Sequence, residues 1–478
     1  MHQEIIAPSS PHRSASFVLD QKFVAVAYLI FTIIIVALLN SILPAFDAPD
    51  EFAHSFHAES LSSGQILPRP DASGIIGGDV NTGLLDLWQV LSPTGTGAPK
   101  PPAVIERANN IRWTRTSRFT GYPNTGQYGS VLYLPQAIGL AIGRAAGFSV
   151  LKSYYLARLL TALTAVGIAS IALATAGRGI FVIAVFLTTP MFLYLATSLS
   201  QDGLLIAVSA LFAALAAKRQ SAVSDAGNWV AWGCALLIAM ARPPYALLSF
   251  LLIRGRQGRS FAAWLTAPDG PLAPIAVLAA TIAWLVAVGA QHQPDFAADH
   301  RVNSAAQLAG LLKHPGFVLT VIHGTFVDHH EFLFKSHEVI ARVNVPLPNW
   351  IYRAGGIAIL LAAATCLVQA AGRSIVHQAA AIVIFAMSAG AVYAALYLTW
   401  TPVGAPFVEG GQGRYLLPYL VGLPLIIPCI GPLRWTGGRS AQAVERIAQV
   451  AGFVSWGVMI VVIAKTVLVM HRIYGGGF

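Results

Sequence analysis

Residues 46–60, "FDAPDEFAHSFHAES", set two adjacent carboxylates, Asp50 and Glu51, beside two imidazoles, His54 and His57, just after an apolar run. A carboxylate ionised at neutral pH can take the proton of an attacking hydroxyl, and a neighbouring polar group can orient it. Pro49 suits the first turn of a helix, and Asp50 and Glu51 complement its positive end. On a helix over 50–63, Asp50, His54, His57 and Leu61 share a face, with Glu51 one turn from His54. The same residues also fit a charged helix start with solvated histidines, or a carboxylate–histidine metal site.

Two further stretches carry charge into apolar surroundings. In "VEGGQGRYLLPYL" (408–420), Gly410, Gly411 and Gly413 let backbone N–H groups approach an anion, and Arg414 adds a forked cation. A glycine turn with Arg414 snorkelling to headgroups explains the same pattern. In "ATSLSQDGLLIAVSA" (196–210), Asp202 lies alone between two apolar segments. An acidic group at that depth is costly and suggests function, but Asp202 could also cap the helix that begins at Gly203. A later loop holds His292, His300, His314, His323, His329, His330 and His337 without compact ligand spacing, so it reads as solvated rather than as a metal site.

The elements that must position these groups are membrane helices. Of the 478 residues, 56% are hydrophobic and only 10% charged, a composition that cannot keep its surface in water. The apolar runs are continuous rather than alternating, which excludes a barrel and leaves helices. A net charge of +10 sits in short loops between those runs, a positive-inside pattern rather than a nucleic-acid surface. Cys234, Cys366 and Cys429 all fall within apolar segments and read as buried small hydrophobes.

Residues 23–46 form a first spanning segment, read as an anchor, with a cleaved signal peptide as the rival. Residues 47–130 form a large polar loop, and 291–351 a second. Further apolar segments lie near 131–147, 153–177, 179–198, 203–217, 228–253, 271–290, 354–372, 375–399, 415–433 and 447–470. The basic stretches "IRGRQGR" (253–259), Arg373 and 434–446 place the N-terminus in the cytoplasm and loops 47–130, 291–351 and 400–413 outside. Two topologies fit upstream of residue 254. Either each segment crosses once and "ARPPY" (241–245) kinks a long helix, or 131–147 dips in without crossing and Pro243–Pro244 splits 228–253. The second puts Asp202 outside and more basic residues inside. Both give about 11 crossings.

Taken in order, these pieces resemble a family of uncharacterised multi-pass bacterial membrane proteins grouped with the GT-C glycosyltransferases. The matching motifs are "APDEFAHSFHAESLSSGQILP", "YPNTGQYGSVLYLPQAIGLAIGR" (122–144), "SLSQDGLLIA", "ARPPYALL" and "GGQGRYLLPYL". The resemblance implies an all-α, GT-C-like membrane domain over 1–433, followed by a cytoplasmic loop and final helix over 434–478. It implies transfer of a sugar from a polyprenyl-phosphate donor to a cell-envelope glycan or lipid acceptor, on the outer face of a bacterial inner membrane. The catalytic base falls on Asp50, with Glu51 as its neighbour. His54, Asp202, Arg242, Gln412, Arg414, Tyr415 and Lys100 become candidate substrate contacts, and Arg118 a further one; the donor-phosphate role of Arg414 is a physical inference. Neither cofactor nor metal is indicated, and no nucleic-acid partner. The tract "TRTSRFTGYPNTG" departs from the usual proline-rich run before the second helix, while "APKPP" (98–102) lies upstream. A transporter or flippase for lipid-linked saccharides, or a non-catalytic assembly partner, would use the same charges; the missing internal symmetry speaks against transport.

Overall fold

The computed structural model describes residues 21–92, 100–177, 179–218, 225–256, 258–289, 302–328, 339–340, 345–368, 375–428 and 438–474. Of the residues singled out above, Cys429, Arg373, His292, His300, His329, His330 and His337 lie outside them, as do parts of the basic stretches 253–259 and 434–446.

The chain is mainly helical. Among the described residues five helices are long and apolar enough to cross a bilayer: Gln21–Ile42, Val150–Thr175, Asn349–Val368, Ile375–Thr399 and Ala443–Tyr474. A sixth arises if Ser304–Lys313 and Phe317–Asp328, bent by 114° at their junction, make one broken span. The expected count of about 11 is therefore not met. Helix breakers divide several of the apolar runs. Residues 131–147 give a 3-10 turn and the 12-residue helix Leu134–Ala145. Pro190 starts a second short helix after Ile180–Phe186, and 228–253 breaks at Arg242 into Asp225–Ala241 and the 3-10 helix Pro243–Leu252. After Gln412 the chain advances by short turns that carry Pro418 and Pro424. Proline removes a backbone donor and clashes with the preceding turn, which apolar content alone does not reveal.

Helix Asp202–Lys218 shows the other source of error. It is apolar on every side, and residues 202–216 are all buried. Such a helix is lined by protein rather than by lipid. It packs against Val150–Thr175 and Asp225–Ala241. Exposed apolar side chains that a bilayer can cover lie elsewhere, with Phe23, Ile30, Ile171, Ile282 and Leu360 all well exposed, and Trp350 at the start of its span is 47% exposed.

The first polar region is a small folded layer, and it is not purely helical. Helix Glu51–Ser62 packs on an antiparallel sheet ordered β1 (Arg69–Pro70), β2 (Ile76–Asn81), β3 (Ser117–Gly121), with Gly77 opposite Gly121 and Asn81 opposite Ser117. Gly78 permits this approach, because a Cβ there would meet the Tyr122 hydroxyl at 2.4 Å. Asn81 ends β2 and caps helix Thr82–Leu91, its side chain accepting from Gly83 N. Phe52 stacks on Trp88 and Phe56 meets Trp88 edge to face, at the side of a second hydrophobic core. The final helix, Gly438–Tyr474, packs along Asn349–Val368 and Gln21–Ile42, and so is integrated with the rest of the chain.

Candidate functional site: a carboxylate–arginine cluster

Four segment junctions meet at one point. Asp50 precedes helix Glu51–Ser62, Asp202 opens helix Asp202–Lys218, Arg242 sits at the break before Pro243–Leu252, and Arg414 lies in the 3-10 turn Gly413–Leu416. Arg414 Nη2 donates to Asp50 Oδ2 at 3.2 Å, and its Nη1 lies 3.5 Å from Asp202 Oδ2. Arg242 Nη2 donates to Asp202 Oδ1 at 3.0 Å. The Arg242 guanidinium also lies 4.2 Å from the Tyr415 ring centroid, close enough for a cation–π contact. The cluster thus alternates in sign, Asp50–Arg414–Asp202–Arg242, over residues 364 positions apart.

Its two carboxylates differ in access. Asp202 is buried, whereas the Asp50 side chain is 43% exposed. Asp50 has φ +56°, a left-handed conformation that aspartate tolerates better than most residues, and its side chain makes no cap bond to its own helix. That backbone turns the carboxylate away from the helix and toward Arg414. Asp202 is likewise no cap for the helix it opens: Ser200 Oγ accepts from Asp202 N, while the carboxylate faces Arg242 and Arg414. Arg414 Nε is buried without a hydrogen-bond partner among the described residues, and Asp202 Oδ2 and Arg414 Nη1, 3.5 Å apart, form an ion pair without a hydrogen bond. Unspent donors and acceptors are expensive in a low-dielectric interior, so the site is built with capacity for another polar group.

Glu51 stands apart from the cluster. It is fully buried and receives Arg158 in a forked pair, Nε to Oε1 at 2.7 Å and Nη2 to Oε2 at 2.6 Å. Leu199 N and Ala48 N also donate to it. Arg158 spends its other hydrogen bonds on the carbonyls of Leu43 and Pro44. A carboxylate this saturated ties the first span, the Asp50 turn and helix Val150–Thr175 together. Sequence reasoning missed Arg158. An arginine inside an apolar segment is the available signal, since such a charge needs a partner.

The histidines of helix Glu51–Ser62 are also buried. His54 Nδ1 lies 2.6 Å from the Tyr133 hydroxyl, and Nε2 lies 3.2 Å from Ser200 Oγ. It thus bridges the helix–sheet layer to the turn before Asp202, and among the described residues it makes no hydrogen bond to Asp50. Burial pushes its pKa down to about 4, against the opposing pull of the Asp202 and Asp50 carboxylates. His57 is stacked between Tyr122 and Tyr133, with Nδ1 3.1 Å from the Thr125 carbonyl, and burial pushes it down to about 3. Both imidazoles are neutral at pH 7.

The glycines before Arg414 have a packing role. Gly410 adopts φ +73°, and a Cβ there would meet the Trp400 ring at 2.5 Å. Gln412 precedes the turn, where its carbonyl accepts from Tyr415 N, and the Tyr415 carbonyl in turn accepts from the Tyr245 hydroxyl. Lys100 is buried and donates to the Leu91 carbonyl at the end of helix Thr82–Leu91. Arg118 is exposed on β3. Among the described residues the cluster's ion pairs run between Asp50, Arg414, Asp202 and Arg242. Among the described residues no three His, Cys, Asp or Glu side chains gather as a metal site.

No curated protein and no solved structure matches the chain. The family model DUF2142, described as a predicted membrane protein, matches residues 30–423, a range that contains Asp50, Asp202, Arg242 and Arg414. The chain belongs to the DUF2142 family of membrane proteins.

Proposed function

We propose that the chain is a GT-C-type glycosyltransferase that moves a sugar from a polyprenyl-phosphate donor to a cell-envelope glycan or lipid acceptor at the periplasmic face of a bacterial inner membrane. The observation that carries this reading is the meeting of a half-exposed carboxylate with two arginines that share a buried one. Asp50 is the general base, and Arg414, steadied by Asp202 and Arg242, binds the donor phosphate. Phosphate oxygens and the Asp50 carboxylate compete for Arg414, so donor binding releases Asp50 for the acceptor. The acceptor oxygen then bonds to the anomeric carbon as the bond from that carbon to the phosphate oxygen breaks. The acceptor proton passes to Asp50, and polyprenyl phosphate leaves with its charge held by Arg414. Direct displacement inverts the anomeric centre. His54, neutral and fixed by Tyr133 and Ser200, positions the helix that bears Asp50.

The test uses purified, reconstituted protein with a panel of polyprenyl-phosphate sugars and envelope acceptors, scoring release of polyprenyl phosphate. Asp50→Asn should lower turnover by about 10²–10⁴-fold, and Arg414→Ala by a similar order. Wild-type turnover in Asp50→Asn would rule out Asp50 as the base. Movement of intact lipid-linked saccharide across the membrane without bond cleavage would favour a flippase instead.

A further inference from the structure

The 3-10 helix Pro243–Leu252 leads away from Arg242 and ends two residues before Arg254. At about 2.0 Å per residue this carries the chain roughly 20 Å from the Asp50 cluster. There it runs beside helix Ile375–Thr399 and, with Trp264, lines a partly open cavity of about 460 Å³. Leu247, Phe250, Ile384 and Met387 line it, so its wall is almost wholly apolar. Arg254 and His377 are the exceptions.

Arg254 is fixed through its backbone: its N–H donates to the Asp269 carbonyl at 2.9 Å, and its carbonyl accepts from Trp264 Nε1 at 2.6 Å. Its Nη2 is buried without a hydrogen-bond partner among the described residues. The nearby carboxylate of Asp269 is taken by Arg259, at 2.6 and 3.3 Å. None of the lining residues is acidic. An apolar chamber with a guanidinium at its rim, one of whose nitrogens is buried with no hydrogen-bond partner among the described residues, matches a ligand that is greasy at one end and anionic at the other. Basic pockets between membrane helices favour phosphate-bearing headgroups for this reason.

We propose that this cavity binds an anionic glycerophospholipid, with the acyl chain among Leu247, Phe250, Ile384 and Met387 and the phosphate on Arg254. The site is separate from the Asp50 cluster and does not depend on the transfer chemistry assigned there. Full-length protein, stripped of lipid in detergent, should be titrated with phosphatidylglycerol and with phosphatidylcholine and followed by native mass spectrometry. Phosphatidylglycerol should bind roughly 10-fold or more tightly than phosphatidylcholine, and Arg254→Gln should erase that preference. Ala380→Trp, which fills the chamber and keeps the charge, should weaken both lipids and give an independent reading if Arg254→Gln does not fold. Millimolar inorganic phosphate, which lacks a tail, should not displace the bound lipid. Unchanged phosphatidylglycerol binding in Ala380→Trp, equal binding of the two lipids by the wild type, or displacement by phosphate alone would overturn the proposal.

Discussion

Asp50 and Glu51 are neighbours in the chain and opposites in the fold. Glu51 is buried with Arg158, whereas Asp50 is half-exposed and shares Arg414 with Asp202. Removing one member of a buried pair strands the other charge, at a cost of about 3–5 kcal/mol. Glu51→Gln should therefore lower thermal stability in detergent by that amount, while Asp50→Asn should cost clearly less, because Asp50 is half-exposed and buried Arg414 keeps Asp202 as a counter-ion. The double variant Glu51→Leu/Arg158→Met should recover much of the loss, because no charge is then stranded. Melting curves of the three proteins check this. Equal destabilisation by Glu51→Gln and Asp50→Asn would contradict the division of labour. The sequence shows two equivalent carboxylates; what separates them is Asp50's left-handed backbone, set by packing that no local pattern encodes.

At the scale of elements, helix Glu51–Ser62 matches the helix that the sequence predicts over 50–63 from its spacing and acidic start, although Asp50 makes no side-chain cap bond to it. Its environment was not, since both histidines were open to a solvated reading and both are buried. Their neutral forms are the stable ones in the fold, with pKa values near 4 and 3 against about 6.5 in an unfolded chain. Between those limits the unfolded chain binds more protons, so stability falls as pH drops below about 6.5 and levels off once the folded protein is protonated as well. At pH 5 the loss should be on the order of 2 kcal/mol per histidine relative to pH 7.5. His54→Gln/His57→Gln should flatten the decline in melting temperature across pH 7.5 to 5, and a wild-type slope in the double variant would show that other groups drive it. The membrane elements were harder to read. Hydropathy separates apolar from polar segments but not a buried, protein-lined helix such as Asp202–Lys218 from a lipid-facing one. Hydropathy alone also passes over the break at Arg242, which the Pro243–Pro244 pair signals and where the interrupted helix delivers a cation to the cluster.

At the scale of the whole molecule, the first and last parts of the chain close on each other. The Tyr474 hydroxyl, at the end of the final helix, donates to Asp47 Oδ2 at 3.0 Å, and Tyr194 donates to the same oxygen at 3.3 Å. Asp47 lies three residues before Asp50, in the turn that Arg158 also grips through the Leu43 and Pro44 carbonyls. A contact 427 positions apart leaves no trace in local spacing, so the last helix could be read only as one more crossing. In the fold it braces the turn that carries Asp50. Tyr474→Phe should cost about 1–2 kcal/mol, the usual penalty for leaving a buried acceptor with fewer donors. Because Tyr474 and Asp47 act as one unit, Asp47→Asn combined with Tyr474→Phe should cost far less than the sum of the two single changes. The coupling is read from a double-mutant cycle on detergent-solubilised protein. If the proposed transfer reaction is the activity, Tyr474→Phe should also slow turnover more than it weakens donor binding, because the displaced group is the base and not the phosphate clamp. Strict additivity of the two stability effects would mean that the final helix packs beside the Asp50 turn without holding it in place.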